Sequence, residues 1–144
     1  MDEWVNEPLL LGVAVLLGVV QLAWAAVAAR QQQGLQWARG PRDEDRPVTG
    51  VAARLERAFR NYMETFPLFA AALILGATLD QGDQLKHFLT LWGSVIYVGA
   101  RIVYVPLYAG GVPGWRTLVW FISVLGLLMV TAALFVPAPE AAAI

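Results

Sequence analysis

Four long apolar stretches dominate the chain, and shorter polar segments separate them. The first covers residues 8–29. At a rise of 1.5 Å per residue it forms a helix of about 33 Å, enough to cross a hydrocarbon core of about 30 Å. The same pattern predicts further spans at about residues 51–79, 84–108 and 115–136. The main polar loop, residues 30–50, is expected to hold one interfacial turn around Leu35 and Trp37.

The composition excludes a soluble domain. Of 144 residues, 58% are hydrophobic and 15% are charged, whereas a soluble domain carries about 25% charged residues. In lipid, only helices and closed barrels satisfy every backbone amide, and the unbroken apolar runs favour helices. We therefore expect an all-α fold, an integral membrane four-helix bundle, with residues 1–144 forming one transmembrane domain.

The remaining composition limits the chemistry. The formal net charge is −1 and no basic stripe stands out, so nucleic acid is not expected as a partner. With no cysteine and a single histidine, the sequence offers neither a thiol of its own nor a metal-ligand cluster. Any thiol chemistry must use a thiol supplied by another molecule.

The distribution of cations predicts the orientation in the membrane. Four crossings place both termini and the connection near Lys86 on one side. The other side carries most of the arginines, namely Arg30, Arg39, Arg42, Arg46, Arg54 and Arg116. By the positive-inside rule this second side is cytoplasmic, and both termini lie outside.

Polar residues of three spans fall at one depth near the cytoplasmic boundary. On the second span the stripe is Arg57, Arg60, Asn61 and Glu64; on the third it is Tyr97, Arg101, Tyr104 and Tyr108; Arg116 opens the fourth. Charges at this depth cost several kcal/mol unless they are paired, so the stripes should face each other or a wet cavity. His87 lies at the opposite end and receives no catalytic role.

Arginines outnumber carboxylates in this cluster, and two explanations stay open. An anionic ligand would balance the excess charge. Alternatively, a lattice of interhelical salt bridges and phospholipid headgroups would neutralise it.

One segment of this cluster has a recognisable pattern. Residues 56–69 read Glu-Arg-Ala-Phe-Arg-Asn-Tyr-Met-Glu-Thr-Phe-Pro-Leu-Phe, and Tyr104, Tyr108 and Arg116 flank the last connection. Together with the four spans and the chain length, this resembles the MAPEG family, the membrane-associated proteins of eicosanoid and glutathione metabolism. The resemblance covers nearly the whole chain. It implies a homotrimer that binds glutathione between neighbouring subunits, near the cytosolic face.

The resemblance also implies roles for individual residues. Arg57 and Arg60 would hold the glutathione carboxylates, Asn61 would hydrogen-bond its backbone, and Glu64 would accept its ammonium group. Tyr104 and Tyr108 would line the pocket, although tyrosines at this depth also serve as interfacial anchors. Arg116, with Tyr108, would be catalytic, because a guanidinium beside the sulfur favours the thiolate. Arg30 would reach across the subunit boundary, or else anchor a phospholipid headgroup.

The function that follows is a glutathione transferase, with peroxidase as a further activity, acting on a lipophilic small molecule that arrives from the bilayer. A non-enzymatic lipid-binding or scaffold member of the same family is the alternative. Eicosanoid specificity is not predicted, because three features depart from the family pattern. They are the spacing between Tyr108 and Arg116, the threonine Thr117, and Gln31 directly after Arg30. The chain resembles bacterial members, which favours the inner (plasma) membrane over the endoplasmic reticulum. Small residues such as Gly12, Ala71, Gly93 and Gly99 would permit close approach of helices, including helices of other subunits.

Overall fold

The computed structural model describes residues 6–41, 43–79 and 83–137, and over these ranges the regular structure is helical. The helices are α1 (Glu7–Gln33), α2 (Leu35–Arg39), α3 (Gly50–Leu79), α4 (Gln84–Gly110) and α5 (Pro113–Ala133). All except the five-residue α2 are long and apolar enough to cross a membrane. The expected all-α fold with four spans is confirmed, and the chain is a multi-pass integral membrane protein.

The polar loop after the first span is more structured than the hydropathy pattern indicates. The helix α1 continues to Gln33, and Gly34 ends it with a φ of 88° while its N–H donates to the carbonyl of Arg30. The side chain of Gln32 donates to the Thr49 carbonyl at 3.0 Å and accepts from the Thr49 N–H at 2.9 Å. These side-chain hydrogen bonds hold the loop against α1. A hydropathy pattern gives no information about such bonds. The helix α2 lies where the sequence predicts a turn around Leu35 and Trp37.

The α3 helix ends at Leu79 and α4 begins at Gln84, at the predicted positions, whereas the other ends differ from the predicted bounds by one to four residues. Asp83 caps the start of α4, accepting from the Lys86 N–H at 2.9 Å. At the far end, Gly111 adopts a left-handed φ of 72° and ends α4 at Gly110. The α5 helix ends at Ala133 rather than at residue 136. Arg42, residues 80–82 and the alanine-rich tail at 138–144 lie outside the described residues.

Two glycines bring α4 and α5 into backbone contact. A Cβ added to Gly126 would lie 2.5 Å from the Tyr97 nitrogen and 2.6 Å from the Gly93 oxygen, closer than real side chains approach. Gly93 therefore packs closely against α5 of the same chain. Gly12 and Gly99, in contrast, face open space.

The core lies among α1, α3, α4 and α5. Phe69 stacks on Tyr97 with ring centroids 4.2 Å apart, and the buried Tyr62 hydroxyl donates to the Ala14 carbonyl at 2.6 Å. Large apolar side chains such as Leu16, Leu68 and Leu128 point outward and are more than half exposed. That surface suits lipid and not water.

Contacts at the two ends of the bundle show the relative directions of the helices. His87 lies 3.2 Å from the Glu7 carboxylate, so α1 and α4 begin at the same end. At the opposite end, Arg54 near the start of α3 donates to the carbonyl of Ala109 near the end of α4 at 2.9 Å. The polar cluster lies toward this second end.

Candidate functional site

Arg101 is the polar centre of the bundle. Its side chain, on α4, is only 1% exposed, and it donates to the Asn61 Oδ1 and the Thr65 Oγ1 at 2.7 Å each. Its guanidinium carbon also lies 5.6 Å from the ring centre of Tyr97 and 5.3 Å from that of Tyr104. Of the predicted α3 stripe, Asn61 therefore faces the α4 stripe. The hydrogen-bond partners of Arg101 are thus an amide and a hydroxyl.

Glu64 joins this group through Asn61. The Asn61 Nδ2 donates to the Glu64 Oε2 at 3.3 Å, and the Glu64 side chain is exposed. A carboxylate in this position is free to accept hydrogen bonds from a cationic group outside the chain.

A cavity of about 200 Å³ opens beside this network, bounded by α3, α4 and α5. Its lining consists of Asn61, Tyr104, Tyr108, Arg116, Thr117 and Trp120. Four residues predicted from the sequence thus meet in one place. We call this the α4–α5 cavity.

Arg116 and Tyr108 form the wall of the α4–α5 cavity nearest the last connection. The Arg116 guanidinium carbon lies 4.6 Å above the centre of the Tyr108 ring. Tyr108 in turn meets Tyr104 edge to face, with centroids 5.4 Å apart. The π face attracts the cation and restricts where the guanidinium can point.

The remaining predicted residues lie elsewhere on the protomer. Arg60 borders a cavity of about 500 Å³ between α1 and α3, and Arg30 borders one of about 650 Å³ between α1, α2 and α3. Glu56 lines both, so we treat them as one surface, the α1–α3 face. Arg57 is exposed on α3 and has no hydrogen bond or ion pair within the described residues.

Carboxylates do not pair with the arginines of the cluster within the described part of the subunit. Within the described part of the chain, ion pairs join Arg46 to Glu44 and His87 to Glu7 only. Arg57, Arg60, Arg101 and Arg116 are therefore without a carboxylate partner among those residues. Among the residues that the structure describes, the arginines of the cluster do not form a salt-bridge lattice.

Two residues of the candidate site were not predicted from the sequence. Thr65 lies one turn beyond Asn61, and Trp120 lies one turn beyond Arg116, so each shares a face with a predicted residue. The i, i+4 spacing is the signal that points to them. Threonine and tryptophan were not selected because neither carries a charge.

Comparison with known protein families tests the resemblance noted in the sequence. The sequence matches the MAPEG family model over residues 10–136. The chain belongs to the MAPEG family. No curated protein matches the sequence. MAPEG members include glutathione transferases and proteins of eicosanoid metabolism, and they use glutathione as substrate or cofactor.

Membership in the MAPEG family suits the donors and acceptors at the site. The α4–α5 cavity offers a guanidinium, two phenols and an amide, with the Glu64 carboxylate beside them. Carboxylate, ammonium and thiol groups of a ligand are chemically complementary to groups of this kind.

Proposed function

We propose that this protein is a membrane-bound glutathione transferase that joins the glutathione thiolate to a lipophilic electrophile, with peroxidase as a further activity. The observation that carries the proposal is the Arg116 guanidinium, held 4.6 Å from the Tyr108 ring centre in the α4–α5 cavity. It lacks a carboxylate partner among the described residues. A fixed cation of this kind attracts an anionic ligand.

In this proposal each charged part of glutathione has a partner. Arg57 and Arg60 hold its carboxylates, Asn61 hydrogen-bonds its backbone, and Glu64 accepts its ammonium group. Tyr104 lines the pocket between them. The exposure of Arg57, Arg60 and Glu64 supports these roles, because their charged groups remain accessible to a ligand.

Arg116 and Tyr108 act at the sulfur. A thiol with an ordinary pKa of about 8.5 is mostly protonated at neutral pH, and the guanidinium lowers that pKa by stabilising the thiolate. The thiol proton passes to solvent, and the sulfur electron pair attacks the electrophilic carbon. With a chloroarene, a carbon–sulfur bond forms and chloride leaves with the electrons of the carbon–chlorine bond.

The proposed site is completed by a neighbouring subunit. Pockets for small organic ligands measure about 300–1,000 Å³, and the α4–α5 cavity has about 200 Å³. The α1–α3 face presents Arg30 and Arg60 to the outside of the protomer. In a homotrimer the α1–α3 face of one subunit closes the α4–α5 cavity of the next, and the substrate enters from the lipid.

The proposal includes an orientation, with the site near the cytoplasmic face of the bacterial inner membrane. The connection between α4 and α5 is then inside, and the start of α4 is outside. Because the chain lacks cysteine, single thiols report the side. In intact spheroplasts, Gln84→Cys should react with an impermeant maleimide, and Gly114→Cys should react only after lysis. The reverse labelling would contradict the orientation, and the cysteine-free parent is the control.

Two measurements on the purified protein test the function. We expect glutathione to bind in a calorimetric titration and to be conjugated to chlorodinitrobenzene at a rate above that of the uncatalysed reaction. Binding without conjugation of any electrophile would contradict the transferase. If glutathione at millimolar concentration does not bind, the non-enzymatic lipid-binding or scaffold alternative replaces it.

A further inference from the structure

The hydrogen bonds of Arg101 constrain how its neighbours are oriented. Thr65 donates its only hydroxyl proton toward the Tyr62 carbonyl at 3.3 Å. The same oxygen lies 3.0 Å from the Tyr97 hydroxyl and accepts from Arg101. The Tyr97 hydroxyl must then be the donor to Thr65, because Thr65 has no second proton. The guanidinium is fixed by these bonds and by the rings of Tyr97 and Tyr104.

These contacts permit only one orientation of the Asn61 side-chain amide. A guanidinium only donates, so the group facing Arg101 must be the Asn61 oxygen. An ionised carboxylate only accepts, so the group facing Glu64 must be the Asn61 nitrogen. Rotating the amide by half a turn would place donor against donor and acceptor against acceptor. Both neighbours thus select the same orientation.

The oriented amide has one N–H that these bonds leave unused. An amide nitrogen carries two protons, and Glu64 takes one of them. Asn61 also lines the α4–α5 cavity. The second N–H is therefore a donor available to that cavity, while the Asn61 oxygen is already occupied by Arg101.

We infer that Arg101 is a positioning residue for the site: it fixes Asn61 so that Asn61 binds glutathione only as a hydrogen-bond donor, to a carbonyl or carboxylate oxygen of the tripeptide. The inference rests on the proposed function, since it specifies how one residue of that site hydrogen-bonds to the ligand. Arg101 itself touches neither glutathione nor the reacting atoms. Its effect passes through the Asn61 amide.

Asn61→Asp tests the direction of this hydrogen bond. The new carboxylate still accepts from Arg101, so the protein should keep its fold and thermal stability. It has no N–H for the ligand and adds negative charge beside Glu64. We expect the calorimetric Kd for glutathione to rise about ten- to a hundredfold, the cost of a hydrogen bond to a charged group. Gln36→Glu, an exposed change of the same kind on α2, is the matched control and should bind as the parent does.

Arg101→Lys tests the positioning role separately. One ammonium cannot span the Asn61 and Thr65 oxygens as the planar guanidinium does. We expect KM for glutathione to rise about tenfold, with kcat at saturating glutathione changed less than twofold. A merely structural role would lower the unfolding temperature and leave the KM of the folded protein unchanged.

The outcomes separate this inference from the proposed function. If the parent protein binds glutathione and Asn61→Asp binds it equally well, the amide is not a donor to the ligand and the inference is overturned alone. If the parent protein does not bind glutathione, the proposed function and the inference are overturned together. Should Arg101→Lys fail to fold, the Asn61→Asp result still decides whether the Asn61 amide donates to the ligand.

Discussion

Replacing Arg116 by alanine should lower the rate of glutathione conjugation by about a hundred- to a thousandfold, the usual cost of removing one donor that stabilises an anion at the reacting atom. The pH–rate profile should also move. Without the guanidinium the bound thiol keeps a pKa nearer 8.5, so the rate should continue to rise at alkaline pH, where the parent enzyme has already levelled off. Chlorodinitrobenzene conjugation, followed across pH at saturating glutathione, measures both effects.

Arg46→Ala is the control for this experiment. It removes an arginine that pairs with Glu44 in the exposed loop, away from the α4–α5 cavity. Its activity and pH profile should match those of the parent. An Arg116→Ala enzyme with unchanged rate and unchanged profile would remove Arg116 from the mechanism.

Two inactive variants should restore each other when they are assembled in the same trimer. Arg116→Ala damages the α4–α5 cavity, and Arg60→Ala damages the α1–α3 face. In a trimer, each subunit contributes its α4–α5 cavity to one neighbour and its α1–α3 face to the other. In randomly mixed trimers, about a quarter of the interfaces therefore join an intact cavity to an intact face. Co-expression of the two variants should therefore recover about a quarter of the parent activity.

Separately assembled variants provide the control for co-expression. Mixing them after purification should give no recovery, since their subunits no longer exchange. Equal inactivity of the co-expressed and the separately assembled samples would show that both arginines act within one protomer, and the intersubunit site would be wrong.

Most of the fold was predictable because a bilayer imposes long apolar runs of nearly fixed length. The four spans follow from that constraint alone. The helix α2 and the extension of α1 to Gln33 do not, because they depend on hydrogen bonds such as that between Gln32 and Thr49. The use of Gly93 inside the chain also required knowing that Gly126 lies opposite it.

The sequence predicted the level along the bundle at which the candidate-site residues lie, but only partly predicted which way their side chains face. Counting residues inward from the predicted helix ends placed Asn61, Tyr104, Tyr108 and Arg116 at one level, and the structure brings them into one cavity. The stripe that includes Arg60 spans an arc wide enough for its edges to face different neighbours. Arg60 consequently borders the α1–α3 face while Asn61 faces α4. The rotation of α3 about its own axis decides this, and periodicity does not report it.

An experimentally determined structure of the detergent-solubilised assembly with bound glutathione would test the central claim most directly. The account predicts a trimer with the tripeptide in the α4–α5 cavity, its sulfur beside Arg116 and an oxygen at the Asn61 amide nitrogen, closed over by Arg60 of the neighbouring subunit. Glutathione bound away from Arg116, or a cavity that remains sealed from every neighbouring subunit, would contradict it.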